Sequence, residues 1–294
     1  MTWIRNKVFY AILFLFILAS CNNREADSII ILSDLHYDST DVRSTVIDSV
    51  LVRINQMTHE EAGGKINSVA VLGDITQDGS EMQWDKYVKA FGLNGESDLK
   101  YPVYELPGNH DGNIDGAVRT GIRERNNERR NILDVSDNGL HYSWEAGDYH
   151  LVALGIYPGL EWDPDCEWCH YFRESFRDPE MSLQFLEKDL RHNLDNKNQP
   201  VVLMFHYGWD DFSLLWWTEE EQERFYSVIR DYNIAGIFHG HDHAVEHYTW
   251  KGIDVWSAGS PQSGDKTGEF LVVNLRQDSL AVKVADINDI KSLR

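Results

Sequence analysis

The sequence predicts an α/β fold: two mixed β-sheets packed face to face as a sandwich, flanked by helices. Three observations predict it. Five short apolar runs rich in Val, Ile and Leu read as buried strands: Ser28–Ser33, Val69–Leu72, Tyr101–Leu106, Val201–Phe205 and Ala235–Phe238. Helical patterns alternate with these runs, which implies parallel crossovers. Two further regions, His141–Ile156 and Val245–Val284, alternate as hairpins do and would widen both sheets.

The helices are expected at Thr40–Met57 after the first run, Ser80–Phe91 after the second, Ser182–Leu194 before the fourth and Thr218–Tyr232 before the fifth. Thr218 with Glu221 three positions on forms a capping box for the last of them. Lys251-Gly252 and Gln277-Asp278 read as turns in the tail. No internal repeat or low-complexity block interrupts the pattern. The 294 residues, 42% of them hydrophobic, can bury a sizeable core, and residues 28–294 read as one domain.

The first 20 residues read differently. Arg5 and Lys7 precede an apolar stretch, Val8–Ala19, that is too short to span a bilayer and ends in small residues. With Cys21 directly after Leu18-Ala19-Ser20, the segment resembles a bacterial lipoprotein signal peptide. That resemblance implies a lipidated Cys21 as mature N-terminus, a polar tether over residues 21–27, and a place on the cell envelope, periplasmic or cell-surface side, with the membrane as partner. Losing Arg5 and Lys7 takes the 27 basic residues to 25 against 48 acidic ones, a net charge of −23 in place of −21. Such acidity disfavours nucleic acid as a broad partner. Cys166 and Cys169 then remain, spaced C-x-x-C. In an envelope compartment a loop-stiffening disulfide is the favoured reading. A redox pair lacks a surrounding thioredoxin-like unit, and with His170 the pair offers one ligand too few for a closed zinc site.

Each of the five apolar runs ends in metal-binding residue types: Asp34-Leu35-His36, Gly73-Asp74, Gly108-Asn109-His110-Asp111, His206, and Gly240-His241-Asp242-His243. In open α/β sheets, ligands bind beyond the carboxyl ends of the strands. Two cations sharing one carboxylate can clamp the attacking and leaving oxygens of an in-line displacement and acidify water. Asp74 is the natural shared ligand, since Gly73 before it permits close backbone approach. Asp34, His36 and His243 would complete one site, and Asn109, His206 and His241 the other. Mixed Asp, Asn and His donors accept iron, manganese, zinc or nickel.

The ordered set D-x-H, G-D, G-N-H-[DE], H and G-H-x-H resembles the calcineurin-like metallophosphoesterase superfamily across essentially the whole mature chain. The resemblance implies the family's four-layer fold and two divalent or trivalent metal ions. Asp34, His36, Asp74 and His243 would hold the first, and Asp74, Asn109, His206 and His241 the second. It gives His110 to the substrate, stabilising phosphoryl oxygens or protonating the leaving alkoxide, with Asp111 orienting its imidazole. It implies hydrolysis of phosphate esters by hydroxide attack on phosphorus. Where family members with purple iron sites carry tyrosine, this chain has Gln77, so that colour is not expected; Asp78 stands one place beyond the position where many relatives have an acid. Of the other histidines, His239 beside Gly240 has the best claim to support a ligand.

Substrate choice has two candidate sources. Arg119, Arg123, Arg125, Arg129 and Arg130 form a basic island that either grips phosphate, with Arg123 and Arg125 foremost, or is a solvated helix paired with Glu124 and Glu128. The island tips the reading towards phosphomonoesters, with a nucleotide-like or phospholipid-headgroup diester as runner-up. Trp209 stands in an aromatic run, Tyr207–Trp217, joined by Trp162 and Trp168, that stacks a base or sugar, lines a lipid-facing mouth, or closes the core of a long loop. A non-catalytic lipid-anchored binding protein is the reading from a different class.

Overall fold

The computed structural model describes residues 26–40, 42–162, 176–262, 268–277 and 279–292. The signal segment, Cys21, Cys166, Trp168, Cys169 and His170 lie outside the described residues. In chain order the first elements are β1 (Asp27–Leu32), α1 (Val42–Gln56), α2 (His59–Ala62), β2 (Lys65–Leu72), α3 (Glu81–Ala90) and β3 (Val103–Leu106). Then come α4 (Ala117–Glu128), β4 (Ile132–Val135), β5 (Tyr142–Ala146), β6 (Tyr149–Ala153), α5 (Ser182–Asn193) and β7 (Val201–Met204). A short 3-10 turn at Ser213–Leu215 precedes α6 (Glu219–Ile229), β8 (Ile234–His239), β9 (Val245–Trp250) and β10 (Ile253–Ala258). The chain closes with β11 (Phe270–Arg276), β12 (Ser279–Ala285) and β13 (Ile290–Ser292).

One sheet has the order β13-β12-β11-β1-β2-β3, the other β4-β5-β6-β7-β8-β10-β9. In the first, β1, β2 and β3 run parallel and β11 joins β1 antiparallel. In the second, β6, β7, β8 and β10 run parallel while β5 and β9 are antiparallel to their neighbours. The hairpin regions therefore widen both sheets, as the alternation predicts.

Side-chain alternation sorts the strands' residues into layers. Ile29 and Ile31 of β1 face the other sheet, where they meet a core that includes Leu72, Tyr104, Trp144, Met204 and Phe238. Ile30 and Leu32, one residue out of phase, face helices and pack with Ile47, Leu51, Tyr87 and Ile122. A third core lies under α5 and α6, with Leu186, Phe205, Trp217 and Phe225. The stack is helix, sheet, sheet, helix. The Thr218–Glu221 capping box is formed in both directions. A second box, Thr58–Glu61, starts the one-turn α2, which Gly63 ends at φ 77°. β1 begins at Asp27, one residue inside the stretch read as tether.

Candidate metal centre

Every ligand position follows the carboxyl end of a strand: Asp34 and His36 after β1, Asp74 after β2, Asn109 after β3, His206 after β7, His241 and His243 after β8. The loops are laced by backbone bonds. Asp34 N–H donates to Gly73 O at 3.1 Å, His36 N–H to Asp74 O at 2.9 Å, and Gly240 N–H to His206 O at 3.0 Å. Close approach leaves no room for a side chain at Gly73 or Gly108. A Cβ on Gly108 would lie 2.3 Å from Asp74 N and Oδ1, and one on Gly73, at φ 85°, would lie 2.6 Å from His206 Nδ1. Asp34, His36, Asp74, His241 and His243 all have left-handed backbone, with φ between 47° and 71°. Non-glycine residues adopt it at a cost that surrounding structure must offset, as happens at functional sites.

The donors fall into two groups. Asp34, His36, Asp74 and His243 each offer an atom within 4.8 Å of the others, as do Asp74, His206 and His241. His36 Nε2 lies 3.0 Å from His243 Nε2 and 3.7 Å from Asp74 Oδ2, and His243 Nε2 lies 3.4 Å from Asp34 Oδ1. His206 Nε2 lies 3.0 Å from Asn109 Oδ1 and 3.3 Å from Asp74 Oδ1. Donors about 2 Å from one small cation stand roughly 3–3.5 Å apart, so these separations suit coordination. Asp74 turns one oxygen to each group, the disposition of a bridging carboxylate. His206 donates Nδ1–H to Leu72 O at 2.8 Å, which leaves its Nε2 lone pair for a metal. The residues present therefore fit two cations.

The electrostatics agree. Burial pushes His36 and His241 down to about 4, the neutral form that ligates. Burial opposes protonation of His206 too, but the Asp74 carboxylate outweighs it and lifts His206 to about 9. A cation there would neutralise the same charge. Burial would raise Asp74, yet His206 and His36 hold its carboxyl well below the usual range.

His110 stands at the edge of the groups, its ring 4.9 Å from that of His36. Its Nδ1–H donates to the Gln77 carbonyl at 2.7 Å, so its Nε2 is the atom left for substrate. Asp111 is not the residue that orients it. The Asp111 carboxylate accepts Thr76 N–H (2.8 Å) and O–H (2.9 Å), Ile75 N–H (3.1 Å) and Gly108 N–H (2.8 Å), stapling the β2 loop to the β3 loop. Burial and the nearby Asp74 charge push Asp111 up to about 6 against those donors. The Gln77 partner was invisible in sequence because a backbone carbonyl carries no residue signature. Ser260 Oγ–H, donating to Asp34 O at 2.8 Å, and Gln262, donating to Leu35 O at 2.6 Å, also support the first ligand loop, and neither carries a motif that sequence would reveal.

The structure does not bring the expected substrate residues to the site. Arg125 is buried on Glu105 of β3, with Nε 2.8 Å from Oε1, and Arg129 shares that carboxylate. Arg123 donates to the backbone carbonyls of Ile114 and Asn138 at 2.7 and 2.9 Å. Arg119 pairs with Glu180 at 2.7 Å. Arg125 and Arg129 are there because a buried acid in β3 demands buried cations, and of the five arginines Arg130 alone is exposed. Trp209 donates its indole N–H to Gln222 at 3.1 Å and packs among Phe205, Trp217 and Trp250. Trp162 lies under the Arg177 guanidinium, 3.9 Å away. His239 is buried, donating to Gly240 O at 2.9 Å and accepting from Tyr248 O–H at 2.7 Å, so it braces the His241 loop.

Two donor groups sharing one carboxylate, at the strand ends of a four-layer sandwich, define a candidate two-metal hydrolytic centre. The calcineurin-like phosphoesterase family model matches residues 28–245, and the chain belongs to that family. It is therefore a metallophosphoesterase. No curated protein matches it in sequence. Among solved structures it is similar to a dimetal phosphatase from Danio rerio, at 16% identity and TM-score 0.62, over 90% of this chain and 98% of that one. It is similar to GAP50, the anchor in the inner membrane complex of Plasmodium, at 11% identity and TM-score 0.54, over 92% and 89%. A candidate 5′-nucleotidase from Staphylococcus aureus aligns at 16% identity and TM-score 0.51, over 90% of this chain and 54% of that one. At such identities the likeness is one of fold.

Proposed function

We propose that the chain hydrolyses phosphate esters at a two-cation centre built on Asp34, His36, Asp74, Asn109, His206, His241 and His243. The observation that carries this reading is Asp74, with Oδ2 towards His36 and Oδ1 towards His206. Bound cations supply Lewis acidity and hydroxide near neutral pH. The protein supplies position: carboxylates and imidazoles at the strand ends fix the donors, and His110 Nε2 can hand a proton to the departing alkoxide. The complete donor set favours catalysis over the non-catalytic alternative. The monoester preference rested on Arg123 and Arg125, whose guanidinium groups are engaged elsewhere, so both ester types belong in the test. Metal-loaded protein should release product from phenyl phosphate or from bis(p-nitrophenyl) phosphate, with Asp74→Ala and His110→Ala each lowering kcat/KM by about 10²-fold or more. Wild-type rates equal to those of the variants would refute the reading.

An envelope location, lipid-anchored through Cys21, is part of the proposal, supported by Arg5, Lys7, the Val8–Ala19 stretch and the small residues before Cys21. Expressed in a bacterial host, the chain should fractionate with membranes and Cys21→Ser should not; equal partitioning would refute the anchor.

A further inference from the structure

We propose that Phe176 and Phe212 form an aromatic wall over the metal centre that selects esters whose organic part is a flat aromatic ring; this rests on the phosphoester-hydrolase reading. Asp34, Asp74, Asn109 and His206 are buried, whereas His110 and His241 are half-buried and His243 is exposed. Substrate therefore reaches the centre from the side of His110, His241 and His243. On that side the Phe176 ring stands 6.5 Å from His110, and the Phe212 ring 5.1 Å from His241. The two phenyl rings are 6.3 Å apart at 82°, so an unbroken arc of rings runs from His110 to His241.

Both phenyl rings are half-buried, while Trp216 and Trp217 of the same segment are buried in the core. The backbone that carries each ring is also tied down. Buried Tyr207 donates its O–H to the Phe176 carbonyl at 2.9 Å and sets its own ring 4.7 Å from His241. Asp210 accepts Phe212 N–H at 2.8 Å and Ser213 N–H at 3.1 Å. Phenyl faces offer nothing to phosphoryl oxygens, which the cations and His110 serve; they suit the organic part of an ester bound at that mouth. Offset or edge-to-face packing on preorganised rings favours a planar aromatic group over an alkyl one.

The test is binding of phosphonates, which cannot be hydrolysed. In calorimetric titrations of Mn²⁺-loaded protein, phenylphosphonate should bind about ten-fold more tightly than methylphosphonate. Phe176→Ala and Phe212→Ala should each shrink that ratio towards one while leaving methylphosphonate affinity unchanged. Phe176→Leu and Phe212→Leu, which keep apolar volume, should behave alike and guard against misfolding. No binding of phenylphosphonate, no preference in the wild type, or a preference surviving in the double leucine variant would each overturn the proposal. Ring-dependent phenylphosphonate binding without hydrolysis of any phosphate ester would instead sink the hydrolase reading and leave the wall standing.

Discussion

Asp111 illustrates how a motif residue can matter without touching the chemistry. Its adjacency to His110 suggests a partner for the imidazole, but its carboxylate faces the opposite way and gathers donors from Ile75, Thr76 and Gly108. Ile75 and Thr76 directly follow Asp74 and Gly108 directly precedes Asn109, so the carboxylate ties the two ligand segments together. In Asp111→Asn the amide N–H groups would confront two backbone N–H donors on one side, leaving them buried without an acceptor. The expected cost is about 2–4 kcal/mol of stability, read from urea unfolding, with a weaker hold on metal read from elemental analysis. An unchanged unfolding midpoint would contradict the staple.

At the scale of elements, what was legible was local. The five strand runs and four helices follow from apolar periodicity and caps, signals that sit within a few residues of each other. The ligand set was legible for the same reason, because each donor stands just past its own strand. What failed was pairing across the fold. The Val103–Leu106 strand carries Glu105, and a lone acid in a buried run needs a buried partner. Only the packing of α4 on β3 reveals that Arg125 and Arg129 are those partners. The β6–α5 contact makes a similar pair, where His150 lies 2.6 Å from Asp189 and 3.0 Å from Glu145. Burial opposes its charge, but the two carboxylates win and lift His150 to about 9. A pKa raised above the unfolded value of about 6.5 contributes stability that is full below that pH and is lost as pH rises through 9. Wild-type unfolding free energy should fall by roughly 2–3 kcal/mol between pH 6 and pH 10 relative to His150→Gln, and parallel profiles would refute the assignment.

At the scale of the molecule, the two cation positions draw on both halves of the sandwich. Asp34, His36, Asp74 and Asn109 hang from the β1–β2–β3 sheet, while His206, His241 and His243 hang from the sheet of β7 and β8. Neither donor group is complete within one sheet. Bound ions would thus act as rivets through the seam, and five of the seven anchor points are held in backbone shapes that resist being held. Chelation should lower the melting temperature and speed amide exchange first along the ligand loops, since whatever binds only the folded form adds to its stability. Equal melting with and without chelator would mean that the sheets stay clasped by their greasy interior alone.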